Sequence, residues 1–264
     1  PTLPGLVCEV EYCPRVSFAL AQQGIKIVTR VSLANTTSEP IDDIALELSF
    51  ANNECDPWHA AIATIGPGQT YSLAPEKLIF DMGMLAKRTE RERTTMTLCA
   101  TSSGQERSQR FEIELLAIDQ WSGLAPYPEL LAAFITPNHP AIAPLLGTAR
   151  EILRERHEPE GIDGYQSASP RRTVVLAQVC FESLHSCSLG YINPPASFEK
   201  QGQRVRLIDR VLREKQGTCL DLTLALAALL EQAGLNTVVV FFEDHVLPAS
   251  GRVTIGSPQS FSTK

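Results

Sequence analysis

The sequence predicts two domains of different class, an all-β sandwich followed by an α+β domain. Three observations predict it. Residues 6–117 alternate apolar and polar side chains, with turn residues at short intervals. Around Trp121 the patterning turns helical, and near the C-terminal end a long apolar run, residues 220–233, is followed by a β-branched one. A length of 264 residues suits two ordinary domains, divided here as 1–118 and 119–264.

In the first domain "IKIVTRVSLANTT" (25–37) alternates and ends in an Asn-Thr-Thr turn, and "IDDIALELSF" (41–50) alternates again. "HAAIATIGPGQTYSL" (59–73) carries a Gly-Pro-Gly turn. "EKLIFDMGML" (76–85), "RTTMTLCAT" (93–101) and "QRFEIELLA" (109–117) continue the strand pattern. About seven strands in about 110 residues are the dimensions of an immunoglobulin-like sandwich. The Cys and Trp pattern of antibody domains is absent. Such modules position or bind more often than they catalyse.

Trp121, Gly123, Pro126 and Pro128 mark the joint, where the Trp121 ring is expected to pack. "PELLAAFITP" (128–137) predicts a short helix, and the next, within 138–157, has Asn138 as cap and Pro140 in its first turn. A polar loop (157–170) leads to a helix over 171–188. "YINPPASFE" (191–199) must be extended because adjacent prolines forbid helix. "RLIDRVLREK" (206–215) is an amphipathic helix with a basic outer face, where nucleic acid or a neighbouring domain could touch.

The formal charge of −7 argues against direct recruitment of nucleic acid or anionic membrane. No apolar run approaches the ~20 residues of a membrane span. The N-terminus lacks the basic start and apolar core of a secretory signal, and an odd count of seven cysteines fits poorly with a disulfide framework. Together these predict a cytoplasmic protein with free, mostly buried thiols, although Cys8 with Cys13 and Cys180 with Cys187 are close enough in sequence to pair. No Cys/His cluster has zinc spacing, so neither metal nor cofactor is expected.

Cys219 opens the apolar run, and from Leu220 to Ala233 only Asp221, Thr223, Glu231 and Gln232 are polar. A helix apolar nearly all round is buried on most sides. Gly234 caps it, and "NTVVVFF" follows as a buried strand. Cys219 thus stands at the N-terminal end of a core helix. There the helix dipole and unpaired N–H groups favour a thiolate and offer donors to an oxyanion. A strand of about seven residues at ~3.3 Å each returns His245 to the level of Cys219, where its imidazole could take the thiol proton.

"GTCLDL" (217–222) and "AALLEQAGLN" (227–236), then a strand and His245, resemble the transglutaminase-like, papain-related superfamily. "DQWSGL" (119–124), "PELLAAFITPNHPAI" (128–142) and "YINPPASFE" (191–199), with the preceding sandwich, are similar to a module near the N-terminus of large bacterial proteins that also carry helicase and nuclease-like regions. The likeness runs from about residue 6 to His245. It implies Cys219 as nucleophile and His245 as base, acting in acyl transfer or peptide hydrolysis on a protein or peptide. Tyr191 and Asn193 are candidates to hold an oxyanion or line the cleft. The rival reading is a non-catalytic interaction module of a larger helicase-type protein, with the cysteine fold kept as scaffold.

The pattern is broken after His245. "VLPASGRVTIGSPQSFSTK" contains no Asp, Glu or Asn to orient the imidazole. Asp244, Asp221 and Asn193 are the substitutes within reach, Asp244 a poor one because neighbours on a strand face opposite ways. The family's module continues with an apolar, aromatic strand, whereas Pro248, Ser250 and Gly251 interrupt this one. The resemblance therefore implies a C-terminally incomplete domain, with an exposed sheet edge through which two copies could form a homodimer.

Overall fold

Alternation becomes sheet in the first part of the chain and apolar runs become packed helices in the second. The structure, a computed structural model, describes residues 3–193, 202–242 and 245–250. The chain is a mixed α/β protein of many sheets, and it divides into two units, Pro1–Leu130 with Ser197–Arg204, and Leu131–Ala196 with Val205–Lys264.

The first unit runs β1 (Leu6–Tyr12), β2 (Arg15–Val16), α1 (Phe18–Gln22), β3 (Val28–Asn35), β4 (Ile41–Phe50), β5 (Trp58–Ile65), β6 (Thr70–Leu73), α2 (Met82–Ala86), β7 (Glu92–Ser102), β8 (Gln105–Leu115) and β9 (Gln120–Trp121). Five strands form one sheet in the order β2-β8-β7-β4-β5, and three form another in the order β1-β3-β6. Inward residues of both, among them Leu33, Leu46, Leu98 and Ile113, share one apolar core. On β4 the period slips once. Asp43, at φ +49°, and Ala63 opposite it are both left out of the ladder with the register unchanged, and Ile41 and Ile44 both stay buried.

Residues 76–85 do not form the expected strand. They give a single bridge from Phe80 to Cys55 and then α2, whose first turn is capped where Asp81 accepts the Met84 N–H at 3.0 Å. A short apolar run reads equally as strand or helix, and here the cap decides. Ser17 does the same for α1.

The first unit also extends past residue 118. Trp121 is buried, and β9 pairs with β11 (Gln203–Arg204), so the chain comes back to this unit after visiting the other. Gly202 permits the approach, at φ +74°, because a Cβ there would stand 2.0 Å from the Trp121 carbonyl oxygen.

The second unit holds a 3₁₀ turn that begins in the first (Pro128–Phe134), α3 (Ile142–Glu155), α4 (Pro170–His185), β10 (Gly190–Tyr191), α5 (Ile208–Glu214), β12 (Gln216–Gly217), α6 (Cys219–Gln232), β13 (Thr237–Phe241) and β14 (Val246–Ser250). The helix expected to begin at Asn138 starts at Ile142. Pro144 tolerates helix only in its first turn, so a start at Pro140 would set its ring against a carbonyl one turn back. The His139 ring, not Asn138, accepts the Ala141 N–H at 3.2 Å. Ser169 caps α4, with Pro170 at the first helical position. The helices α3, α4 and α6 close around Leu145, Leu153, Leu176, Val179 and Leu229. The basic face of α5 is largely neutralised: Arg206 and Arg210 pair with Glu214, and Arg213 with Asp209.

The strand after α6 is only half-buried, with Val238 48% exposed, and β14 continues through Pro248 opposite Val239 instead of being broken there. Of the predicted extended stretch, Tyr191–Asn193 is described, Tyr191 lying in β10 parallel to β12, while residues 194–199 fall outside the described residues. All seven cysteines are free, so neither short-range pair is bridged.

Candidate thiol site

Thr218 and Asp221 begin the site by beginning the helix. The Thr218 hydroxyl accepts the Asp221 N–H at 3.3 Å, and the Asp221 carboxylate accepts the Thr218 N–H at 2.9 Å, a reciprocal cap. Asp221 is fully buried, and its two oxygens also receive the Arg206 N–H at 2.8 Å and the Arg206 guanidinium at 3.1 Å. These bonds commit Asp221 to the helix start and to Arg206, and no bond joins it to His245. Cys219, the first residue of α6, is left half-buried.

The partner of the thiol is the backbone of Val246. The thiol donates to the Val246 carbonyl at 3.2 Å, and the Val246 N–H donates to the sulfur at 3.4 Å. One turn along α6, the Thr223 hydroxyl donates to the same carbonyl at 2.7 Å. The β13–β14 ladder explains why those groups are available. Phe242 donates to the His245 carbonyl at 2.7 Å, which makes that a hydrogen-bonded pair. Alternation then makes Val246 with Phe241 a non-hydrogen-bonded pair, so both polar groups of Val246 point away from β13.

Val246 is buried and His245, its neighbour, is exposed in the hairpin turn. The imidazole has no hydrogen bond to Cys219, and Asp244 lies outside the described residues. Cys219 instead opens on a cavity of about 520 Å³ walled by Phe181, Leu184, Leu189, Leu222, Leu226 and Leu247. Tyr191 lines it; Asn193 and His245 do not. A different histidine does: His185, in the last turn of α4, stacked on Phe181 with ring centroids 6.0 Å apart.

Three groups at this site are ones that sequence reasoning passes over: His185, Thr223 and the Val246 peptide. Only Thr223 leaves a trace, since a position four residues from Cys219 shares its helix face.

Five thiols away from the site, Cys8, Cys13, Cys55, Cys99 and Cys180, are held protonated. Burial pushes Cys55 and Cys180 up to about 12, and burial with the neighbouring Glu106 carboxylate takes Cys99 to about 11. Burial also raises Cys8 and Cys13. Among the described residues no group of three or more His, Cys, Asp or Glu side chains could hold a metal ion, and no helix is long and apolar enough to cross a membrane.

No family model matches the chain, and no curated protein matches it. Among solved structures it is similar to the YadV chaperone, at 10% identity and TM-score 0.29, over 47% of this chain and 58% of that one, less than two thirds of its length. A late embryogenesis abundant (LEA) protein matches at 16% identity and TM-score 0.26, over 44% and 74%. A CsuC-CsuE chaperone–tip adhesion subunit complex of Acinetobacter baumannii matches at 13% and 0.25, over 48% and 64%. At these scores the likenesses carry no argument about fold or function.

Proposed function

We propose that the chain is an immunoglobulin-like sandwich joined to a transglutaminase-like cysteine module, in which Cys219 is the nucleophile of an acyl-transfer or peptide-hydrolysis reaction. The observation that carries this reading is the placement of a half-buried thiol in the first turn of a buried helix, in the wall of an apolar cavity. A nucleophile needs access, a nearby base and a donor that stabilises its thiolate. The cavity supplies access, and the Val246 N–H is a donor already aimed at the sulfur. The candidates for base are His185, which lines the same cavity as Cys219, and His245, the exposed neighbour of Val246. The substrate is a protein or peptide presenting an apolar group to the cavity.

A second reading is favoured by a specific observation. The thiol is satisfied by a peptide group and the His245 imidazole faces solvent, as suits a non-catalytic interaction module that keeps a cysteine fold as scaffold. Intact-mass measurement after exposure to an activated acyl ester separates the two. The catalytic reading expects one adduct, located at Cys219, lost in Cys219→Ser and slowed at least tenfold in either His245→Ala or His185→Ala. Adducts spread over several thiols at equal rates would leave the scaffold reading standing.

A further inference from the structure

We infer that Thr223 is a positioning residue for the Cys219 thiol, acting through the Val246 peptide. The inference deepens the reading of Cys219 as nucleophile and rests on it. Three distances carry it: Thr223 Oγ1 to Val246 O, 2.7 Å; Cys219 Sγ to the same oxygen, 3.2 Å; and Val246 N to Cys219 Sγ, 3.4 Å.

Both polar groups of Val246 are turned out of the β13–β14 ladder towards α6, where two side chains one helical turn apart receive them. Thr223 is buried, 4% exposed, and donates to nothing else. While the thiol keeps its proton, sulfur is both donor and acceptor to one peptide. Once the proton leaves, the N–H···S bond remains and strengthens with charge, but the sulfur anion now faces a carbonyl oxygen lone pair. Thr223 offsets that repulsion in two ways. Its hydroxyl draws electron density from the oxygen, and it keeps the peptide oriented so that the N–H stays on the sulfur. Without the hydroxyl the carbonyl has the thiol as its side-chain donor, which favours the protonated form.

The titratable groups around Cys219 are few. His185 of α4 and Tyr191 of β10 line the same cavity, and His245 precedes Val246 in the hairpin. On the helix side, Asp221 is held by Arg206, and Lys215 donates to the Cys187 carbonyl at 3.2 Å. Glu243 and Asp244 lie outside the described residues.

The test is the pH profile of Cys219 alkylation by iodoacetamide on the full chain, with the site assigned by mass spectrometry. Thr223→Val should move the midpoint up by about one pH unit, which slows the reaction about tenfold below it. Thr223→Ser, which restores the hydroxyl, should return the midpoint to the wild-type value. Thr223→Ala replaces the valine variant if that one lacks the wild-type circular dichroism spectrum. An unchanged midpoint in the folded hydroxyl-free variant, or an equal shift in Thr223→Ser, overturns the inference. Alkylation needs no acyl chemistry, so a shifted midpoint without any Cys219 acyl adduct retires acyl transfer alone. An adduct with an unshifted midpoint retires only the role of Thr223.

Discussion

Asp221 shows how one residue type serves two purposes that look identical in a sequence. A buried carboxylate two positions from a candidate nucleophile reads as a partner for an imidazole, and only its neighbours reveal a cap bound to Arg206. The spacing Thr218-x-x-Asp221 is that of a capping box, so this role was legible, but nothing in sequence ranks it above the other. Replacing Asp221 with Ala uncaps α6 and takes from Arg206 one of its two carboxylate partners, leaving Glu214. A loss of about 1–3 kcal/mol is expected from the lost cap and charge-assisted hydrogen bonds and should appear as a lower urea midpoint. The direction of His245 was not legible at all. Adjacent strand residues face opposite ways, and whether 245 or 246 turns towards α6 depends on hairpin register, which placed Val246 inward.

Buried thiols give a second prediction at this scale. Cys55 and Cys180 have folded values of about 12 against an ordinary 9.0, because burial disfavours the thiolate. The folded protein therefore keeps protons that the unfolded chain has lost between those values. Their contribution is full below pH 9 and falls as pH rises towards 12, by up to about 1.4 kcal/mol per pH unit for each thiol. Thermal melts at pH 8, 9.5 and 10.5 should show a falling Tm, less steeply in Cys180→Ala than in wild type.

The elements divide by how much tertiary context they need. The helix α6 was readable from Leu and Ala content alone, and Gly234, at φ +79°, ends it as expected. Leu229 lies fully buried in its C-terminal half, so Leu229→Ala should cost about 2–5 kcal/mol on the usual scale for such cavities. The segment 76–85 was misread because a ten-residue apolar stretch contains too few periods to separate strand from helix. The strand after His245 reads in the sequence as interrupted by Pro248, Ser250 and Gly251, yet β14 runs through Pro248. A proline is tolerated there because that position, like Val246, turns its nitrogen outward, where the ladder asks for no donor. On that edge the Val246 groups are occupied by α6 and Pro248 has no N–H, which disfavours pairing with another copy along β14. Pro248→Val restores a donor, and sedimentation velocity at high concentration should then show more self-association than wild type.

For the molecule as a whole, the two units carry separate optical signals. Trp58 and Trp121, the two tryptophans of the chain, both belong to the first unit, while the long helices α3, α4 and α6 belong to the second. Tryptophan fluorescence therefore reports the first, and ellipticity at the helix band mostly the second. Leu229→Ala should lower the ellipticity midpoint and leave the fluorescence midpoint where it was. Coincident shifts would mean that the chain unfolds as one cooperative body. The change of pattern near Trp121 was plain in the sequence. What lay beyond it was the return of residues 203–204 to β9, since a two-residue ladder between distant segments leaves no periodicity to detect.

That return sets an order of manufacture. As the chain emerges from the ribosome, β9 and Trp121 appear early, but the strand that pairs with them is translated only after α3 and α4. The earlier-made half must wait, with one of its ladders unzipped, while α3 and α4 of the other half are being made. Excising that half at residue 118 or 130 would remove its closing stitch, and the fragment so obtained would be a different object from the one the full chain folds.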